Sequence, residues 1–300
     1  MQKAYFFGIF PRSERLIDVT REKQDYYEDL MEESVKIAEY QREKGMKIIS
    51  DPQMTWEDML RPIAANSEGI EVNGLNRYFE TNTFYKVPLI KGKVKLKDGV
   101  EGYFLSSRSK VDLISIPDPF TFYCMSRDSY YLNKEVLLKD LGQLLSDLAY
   151  RASRSGYSYL ILKAPSYGSC SFSGLEEPIK EAIRGIKESF KGEVIAHLYF
   201  FRNRSALDFL SNTEVDGVGL DMFVYSIDDA RFVGEKGKKV SMGLIDGANT
   251  KMEKKEEVLS AVDKVKAPEV YVSNNVDLEF LPQKFALKKV DLLAEIGKVV

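Results

Sequence analysis

Three consecutive runs decide the fold: "YSYLILK" (157–163), "LEEPIKEAIRGIKESFKG" (175–192) and "EVIAHLYF" (193–200). The first and third are short and apolar, which favours β-strands, and the second has the amphipathic spacing of a helix. The two strands are too apolar to be half-exposed. We therefore predict that they lie side by side in a buried parallel sheet, joined by the helix.

The same alternation continues along almost the whole chain and gives about eight strand–helix units. The other strand candidates are "AYFFGIF" (4–10), "MKIIS" (46–50), "KVDLISIP" (110–117), "VDGVGLD" (215–221), "KKVSMGLI" (238–245) and "EVYVS" (269–273). Eight units in 300 residues specify a (β/α)8 TIM barrel, whereas a doubly wound open sheet normally has fewer strands. We predict an α/β fold with one TIM-barrel domain over residues 1–300.

One segment departs from this pattern. Residues 77–106, "RYFETNTFYKVPLIKGKVKLKDGVEGYFLS", alternate between apolar and polar positions as a half-exposed strand pair does. The run "LKDGVEG" contains the Asp-Gly pair that is typical of a tight turn. The prediction is a β-hairpin insertion after the second unit, with its turn at "LKDGVEG".

The amino-acid composition limits the kinds of partner that the chain is expected to bind. The chain is 44% hydrophobic and 30% charged, and its net charge of −3 comes from interspersed residues of both signs. No basic face is available for a phosphate backbone, so we expect no nucleic acid partner, and no apolar run reaches the length of a membrane span. Cys124 and Cys170 stand in unrelated contexts and predict neither a disulfide framework nor a metal pair. A reducing, cytoplasmic location is the simple inference.

In a TIM barrel the functional residues lie at the C-terminal ends of the strands. Those ends are polar or contain Pro and Gly: "GIFPR", "SDPQ", "IPDPF", "LKAPS", "HLY", "LD", "LIDG" and "SNNVD". Taken alone, the residues predict an open polar mouth that binds a small molecule, and they leave the reaction open.

Several stretches resemble a known family in order and at compatible spacing. They are "GIFPRSERL" (8–16), "QREKGMKIISDPQMTWEDM" (41–59), "RYFETNTFYKVP" (77–88), "IPDPFTF" (116–122), "GLIDGANTKMEKKEEV" (243–258) and "DLEFLPQKFALKKVDLL" (277–293). Together they are similar to the cobalamin-independent methionine synthases, and "RYFETNTFYKVP" is similar to a signature of the N-terminal of that enzyme's two homologous barrels. The resemblance implies methyl transfer from methyltetrahydrofolate, or a related methyl-pterin, to homocysteine.

The resemblance also implies where zinc would bind the substrate thiolate. The catalytic barrel of the family uses a His-x-Cys pair, a Glu one strand later and a Cys near the end. His197, the only histidine, falls on the His and Asp221 on the Glu, whereas Tyr199 and Val276 stand at the Cys positions. A catalytic zinc needs three protein ligands. We therefore do not expect this chain to hold zinc, and His197 is either a structural ring or part of a ligand pocket.

The amino-acid site of the family is altered as well. Lys163 stands where the family has the Asp that holds the homocysteine amino group, and a lysine there repels an ammonium group. Gln53 stands where the catalytic barrel has a Glu, and Ile9 where it has a Ser. Because a buried lysine is costly without a partner, we expect Lys163 to face a carboxylate such as Asp221, or an anionic ligand.

Five other residues are candidates for substrate or pterin binding, and each of them also has an alternative role that involves no ligand or is not at the site. Arg12 and Arg15 are either solvated or bind an anionic group. Trp56 is either a core residue or a platform for the pterin ring. Asn82 either holds the hairpin turn or donates to a ligand. Asp246 either caps the helix that follows or faces the barrel mouth.

Three functional hypotheses follow. The first is a stand-alone counterpart of the N-terminal barrel, which binds the pterin and works with a separate catalytic methionine synthase barrel. The second is an autonomous zinc-dependent thiol methyltransferase of the same family. The third is a catalytically inactive binding or scaffold barrel, for which the Tyr-rich insertion at 77–106 would supply a partner surface.

Overall fold

The computed structural model describes residues 3–298. Its strands are β1 (Lys3–Ala4), β2 (Ser67–Arg77), β3 (Phe84–Leu96), β4 (Leu113–Pro117), β5 (Arg127–Asp128), β6 (Tyr159–Lys163), β7 (Glu193–Leu198), β8 (Gly217–Asp221), β9 (Lys239–Ile245) and β10 (Val270–Asn274). Its α-helices are α1 (Glu14–Glu22), α2 (Tyr27–Lys44), α3 (Arg61–Ala65), α4 (Pro119–Met125), α5 (Lys134–Arg154), α6 (Glu176–Ser189), α7 (Arg204–Ser211), α8 (Ile227–Glu235), α9 (Lys255–Val262) and α10 (Gln283–Lys298). Within these residues no helix combines the length and the apolar character that crossing a bilayer requires.

Seven strands form one parallel sheet in the order β1-β10-β9-β8-β7-β6-β4. The second strand candidate, 46–50, is not a regular strand. Ser50 forms only a parallel bridge to Leu113 of β4, and its hydroxyl donates a 2.5 Å hydrogen bond to the carbonyl of Phe6 on the β1 side. Residues 46–50 therefore occupy the gap between β1 and β4 and close the ring. The predicted α/β barrel is confirmed, with this second strand reduced to a bridge.

The helices pack on the outside of the sheet through apolar faces. Buried leucines recur along α5 at Leu137, Leu141, Leu144 and Leu148. The side chain of Asn133 caps this helix by accepting from the first backbone N–H groups. At Gly142 a Cβ would lie 2.5 Å from the Cβ of Ala182 in α6, so the glycine allows the two helices to approach closely. The apolar residues that recur with a 3.6-residue spacing in the sequence thus form the buried faces of these helices.

The insertion is an antiparallel pair of β2 and β3, to which β5 adds a short parallel edge. Its bounds and its turn differ from the prediction of 77–106: the ribbon begins at Ser67, and the turn is 78–83 rather than "LKDGVEG". The turn has no Gly or Pro. It is held by a hydrogen bond from Tyr78 N to Thr83 O (2.9 Å) and by the hydroxyl of Thr81, which donates to Tyr78 O (2.6 Å).

The side chain of Asn274 completes the ladder between β1 and β10. Main-chain pairing of these strands ends at Tyr5, whose N–H donates to Val272 O. Beyond it, Asn274 Oδ1 accepts from Phe7 N (2.9 Å) and Asn274 Nδ2 donates to Phe7 O (2.9 Å). Both residues are fully buried, so this amide replaces one rung of the sheet where water cannot reach.

Replacing Asn274 by Ala should therefore destabilise the barrel by about 3 kcal/mol, because it leaves the buried N–H and C=O of Phe7 without partners. The measurement is the free energy of unfolding from denaturant titration. The matched control is Asn73→Ala on the exposed part of β2, which should change stability by less than about 0.5 kcal/mol. Equal effects of the two substitutions would contradict the assigned role of Asn274.

Candidate functional site

The barrel mouth brings together side chains from the ends of several strands. Lys163 of β6 is in register with His197 of β7, and His197 is in register with Gly219 of β8. Asp221 ends β8, and Asp277 follows β10. These polar groups are all nearly or completely buried. Each of them therefore needs a partner within the protein.

His197 is held as a neutral ring. Its Nε2 lies 3.1 Å from the carbonyl of Asn275, an acceptor, so Nε2 carries the proton. Nδ1 is buried without a hydrogen-bond partner and faces Gly219, where a Cβ would lie only 2.1 Å away. The ring packs against Phe7 with centroids 4.3 Å apart. Burial lowers the pKa of His197 to about 3.

Asp221, the other candidate zinc ligand, is also engaged. Its Oδ1 accepts from Asn275 Nδ2 and from Phe223 N (both 3.0 Å), and its Oδ2 accepts from Phe200 N (3.3 Å). Burial raises the pKa of Asp221 above its usual range. Asn275 thus joins His197 and Asp221 through its carbonyl and its amide.

The remaining two zinc positions offer no ligand. Val276 is buried and apolar, and the hydroxyl of Tyr199 forms a 2.5 Å hydrogen bond with the hydroxyl of Tyr78. Among residues 3–298, no three His, Cys, Asp or Glu side chains are arranged to hold a metal ion. The donor set at the mouth does not fit the zinc site that the resemblance implies.

Lys163 forms a buried ion pair, and its partner is Asp277 rather than the expected Asp221. Lys163 Nζ lies 2.5 Å from Asp277 Oδ1, and the two residues are only 2% and 0% exposed. The same oxygen accepts from Ile9 N (2.9 Å). Asp277 Oδ2 is buried without a partner. The segment after β10 thus places the Asp277 carboxylate against the ammonium group of Lys163.

An aromatic plug covers these groups; we define it as Tyr78, Phe79, Phe200 and Phe280. Tyr78 lies in the hairpin turn, and its ring centroid is 5.0 Å from Phe79 and 5.8 Å from Phe200. Phe280, which follows β10, lies 6.4 Å from both Tyr78 and Phe200. The insertion therefore seals the centre of the mouth with apolar rings.

Beside the plug, a cleft of about 410 Å3 remains open to solvent. Its polar side chains are Arg12 after β1, Glu57 and Arg61 near α3, and Glu279 after β10. Arg61 is paired closely with Glu57, whereas Arg12 lies 3.7 Å from the same carboxylate. We call this the side cleft. Its volume lies within the range of about 300–1,000 Å3 that is typical of small-molecule sites.

A small chamber lies beside the side cleft and is lined in part by Lys163 of the buried ion pair. Glu57 and Glu279 line both spaces, and Lys163, Asp58 and Tyr78 line the chamber. Burial and the neighbouring Asp277 carboxylate raise the pKa of Glu279 above its ordinary value. They favour the protonated form of Glu279, which can donate as well as accept a hydrogen bond.

Backbone strain is concentrated in the same region. Five described non-glycine residues have positive φ, and four of them lie around the mouth: Gln53 (50°), Glu57 (59°), Phe79 (50°) and Phe200 (68°). Such conformations cost free energy and persist where the surrounding structure imposes them, commonly at functional sites. Non-glycine residues with positive φ thus distinguish the side cleft and the plug from the rest of the surface.

Two of the candidate residues lie inside the core. Gln53 donates from Nε2 to Ser115 O (2.8 Å), and its Oε1 accepts from Ser115 N (3.1 Å), so its amide links the loop after residue 50 to β4. Trp56 is 1% exposed, and its indole N–H donates to Tyr103 O (3.3 Å). The buried ring fits the core alternative and leaves no face for a pterin.

Three further candidates lie outside the side cleft. Arg15 is exposed on α1. Asn82 is exposed in the hairpin turn, where its Oδ1 accepts from Arg77 (3.4 Å). Asp246 accepts from Ala248 N (2.9 Å) in a local turn and does not cap a helix, because α9 begins only at Lys255. Of the positively charged candidates near β1, only Arg12 lines the side cleft.

Sequence reasoning missed several residues of this region, namely Glu57, Arg61, Asn275, Asp277 and Glu279. The run "SNNVDLEF" (273–280) carried a signal, since it places two amides and two carboxylates directly after a buried strand. The family resemblance pointed to Val276, the position of a replaced zinc ligand, and not to its polar neighbours.

The neutral state of His197 gives a spectroscopic prediction. Nitrogen NMR of histidine-labelled protein should show one imidazole, protonated on Nε2, that does not titrate from about pH 8 to about pH 5. The unfolded chain takes up this proton near pH 6.5 and the folded chain only near pH 3, so His197 favours unfolding progressively as the pH falls between those values. A titration midpoint near 6.5 in the folded protein would contradict the buried, neutral ring.

The altered ligand set predicts a metal content. Chelator-washed protein reloaded with excess zinc and desalted should retain less than about 0.1 zinc per chain by elemental analysis, because only two of four ligands remain and both are hydrogen-bonded to Asn275. Close to one tightly held zinc, lost in His197→Ala, would show that the mouth rearranges to bind the metal.

Comparison with known proteins places the chain in a family. The family model described as "Cobalamin-independent synthase, N-terminal domain" matches residues 24–269, well over half of the chain. A methionine synthase of Sulfurisphaera tokodaii is 23% identical over 98% of this chain and 90% of its own length, and one of Sulfolobus acidocaldarius is 24% identical over 94% and 87%.

Solved structures agree in fold. The B12-independent methionine synthase from Shewanella sp. W3-18-1, in complex with selenomethionine, superposes with a TM-score of 0.77 at 19% identity and covers 99% of this chain and 96% of that one. A methyltransferase from Methanosarcina mazei superposes with a TM-score of 0.66 at 10% identity, covering 100% and 94%. This chain belongs to the cobalamin-independent synthase family, whose N-terminal-domain model it matches.

Proposed function

We propose that this chain is the supporting, pterin-binding barrel of a cobalamin-independent methionine synthase and works with a separate catalytic barrel. The observation that carries the proposal is the state of His197 and Asp221: both are buried, and both are bound to Asn275. A barrel with this mouth lacks the groups that would bind and activate a homocysteine thiolate. Its family membership then favours a role in binding or support.

The side cleft supports the binding part of the proposal. Arg12 has only a long contact to Glu57, so its guanidinium retains donors for the carboxylates of a glutamate tail. Glu57 and Glu279 supply carboxyl groups that can pair with the amino and ring N–H donors of a pterin. Methyltetrahydrofolate or a related methyl-pterin is therefore the proposed ligand.

The location of the reaction is a prediction from the sequence. Two cysteines and a mildly acidic composition suit the cytoplasm, where methyl-pterins and thiols are kept reduced.

The test is a reconstitution of methionine formation. Homocysteine and methyltetrahydrofolate with several glutamates are incubated with this chain, with a catalytic barrel that keeps its zinc ligands, and with both. This chain alone should form no methionine, and the mixture should exceed the catalytic barrel alone by about tenfold or more, the effect of one or two added charge-assisted contacts to the ligand.

Two matched variants distinguish binding of the methyl donor by this chain from an unspecific stabilisation of the catalytic barrel. Arg12→Ala should raise the KM for the polyglutamylated donor about tenfold, because it removes a charge-assisted contact. Arg15→Ala, on the exposed face of α1, should leave the KM unchanged. Turnover by this chain alone would instead support the autonomous methyltransferase, and no binding of pterin or of a catalytic barrel would support the scaffold alternative.

A further inference from the structure

Another open cavity, of about 570 Å3, lies at the C-terminal ends of β8 and β9. Met222 and Phe223, which come directly after β8, form one part of its lining, and Asp246, which comes directly after β9, belongs to another. Among the described residues, none that lines this cavity also lines the side cleft or the chamber. We call it the β8–β9 cavity. It lies on the face where TIM barrels carry their functional residues.

The apolar part of the lining is suited to cover an apolar ligand. Met222, Leu244 of β9 and Val258 of α9 line the cavity together with Phe223 and Met252. Phe223 is 53% exposed and Met252 37%, so both large apolar side chains are in contact with water. Covering them with an apolar group is favourable, and methionine side chains adapt readily to the shape of a ligand.

The charged part of the lining contains one free carboxylate and one free ammonium group. The charged residues are Asp246, Lys251, Glu253, Lys254 and Glu257. Glu253 is paired with Lys289 (2.7 Å), and Lys254 is paired with Glu257 (3.0 Å). Within residues 3–298, Asp246 and Lys251 take part in no ion pair. One charge of each sign is therefore available to a ligand.

The segment that carries these two charges is fixed from below by a buried lysine. Lys289 of α10 is 0% exposed, and its Nζ donates to Lys251 O (2.5 Å) and to both carboxylate oxygens of Glu253 (2.7 and 2.9 Å). Glu253 Oε1 also accepts from Asp246 N (3.0 Å). The main chain at both free charges is thus held in place without a ligand, which lowers the cost of binding one.

We propose that the β8–β9 cavity binds a small zwitterion with an apolar body, the chemistry of a free amino acid with an apolar side chain. The ammonium group of the ligand pairs with Asp246 and its carboxylate with Lys251. Asn249 Oδ1 accepts from Lys251 N (2.9 Å), and its Nδ2, which has no acceptor in the described part of the chain, donates to the same carboxylate. The apolar body covers Met222 and Phe223. This site is independent of the side cleft and of the function proposed for it.

The experiment titrates the full chain with L-norleucine in a calorimeter and compares three analogues. Hexanoate lacks the ammonium group, pentylamine lacks the carboxylate, and L-serine lacks the apolar chain. L-norleucine should bind saturably at one site per chain. Each analogue should bind at least about tenfold more weakly, because each lacks one of the three contacts.

Matched variants test the two free charges. Lys251→Met and Asp246→Asn should each weaken the binding of L-norleucine about tenfold, because each removes a charge and leaves the volume of the side chain nearly unchanged. Lys254→Met is the control: this residue also lines the cavity, but its ammonium group is paired with Glu257, so the dissociation constant should change less than about twofold. Melting temperatures show that the variants fold.

Methyl-labelled methionine localises the ligand by carbon-13 NMR. The signals of Met222 and Met252 should shift on addition of L-norleucine, and that of Met31, which is buried on α2, should not. No saturation, equal binding of hexanoate or pentylamine, or unchanged binding by Lys251→Met would each overturn the proposal. A dimer in light scattering that binds no L-norleucine would also overturn it and would assign the cavity to an interface between copies of the chain.

Discussion

One buried ion pair, Lys163 with Asp277, organises the mouth of this barrel. The two residues are almost completely buried, and removing either charge alone would cost about 3–5 kcal/mol because the other would remain unpaired in the interior. The shared oxygen Oδ1 also accepts from Ile9 N, and at Gly8 a Cβ would lie 2.2 Å from that oxygen. The loops after β1, β6 and β10 are therefore arranged around a single carboxylate. Glycine is required at position 8 because the carboxylate approaches the backbone there and φ is +82°.

This arrangement explains why the centre of the mouth is closed to substrate. Most polar groups at the strand ends pair with one another, and two buried atoms among them, His197 Nδ1 and Asp277 Oδ2, have no hydrogen-bond partner. His197 and Asp221 are bound to Asn275, Lys163 to Asp277, and the hairpin covers them with apolar rings. Buried polar groups that already have partners gain little from a new ligand, because each new bond replaces an existing one. The side cleft, whose charged groups are still in contact with solvent, is therefore the binding site that we propose.

The sequence was sufficient for features that depend on local periodicity and insufficient for features that depend on distant contacts. The strand–helix order followed from buried apolar runs, and the barrel followed from their number. The hairpin turn was misplaced because "LKDGVEG" has the local chemistry of a turn, whereas the true turn relies on Thr81 and on a backbone bond from Tyr78 to Thr83. The ion pair of Lys163 could not be derived, because no spacing rule relates residues at the ends of different strands of a barrel. The resemblance located the zinc positions and showed that two of the four ligands are replaced. The hydrogen bonds of His197 and Asp221 to Asn275 are visible only in three dimensions.

The size of the side cleft bears on the choice between a self-sufficient enzyme and one barrel of a pair. At about 410 Å3 it is near the lower end of small-molecule sites, and a pterin with several glutamates would extend beyond it into solvent. A methyl group transferred from such a partly bound pterin would need a second surface to exclude water and to present the thiolate. The surrounding structure imposes strained backbone conformations on Glu57 at the rim of the cleft and on Phe79 in the covering hairpin. A rigid, open-sided cleft beside a closed mouth is what a barrel needs if it presents part of a substrate to a partner, and it is poorly suited to a barrel that must complete the reaction alone.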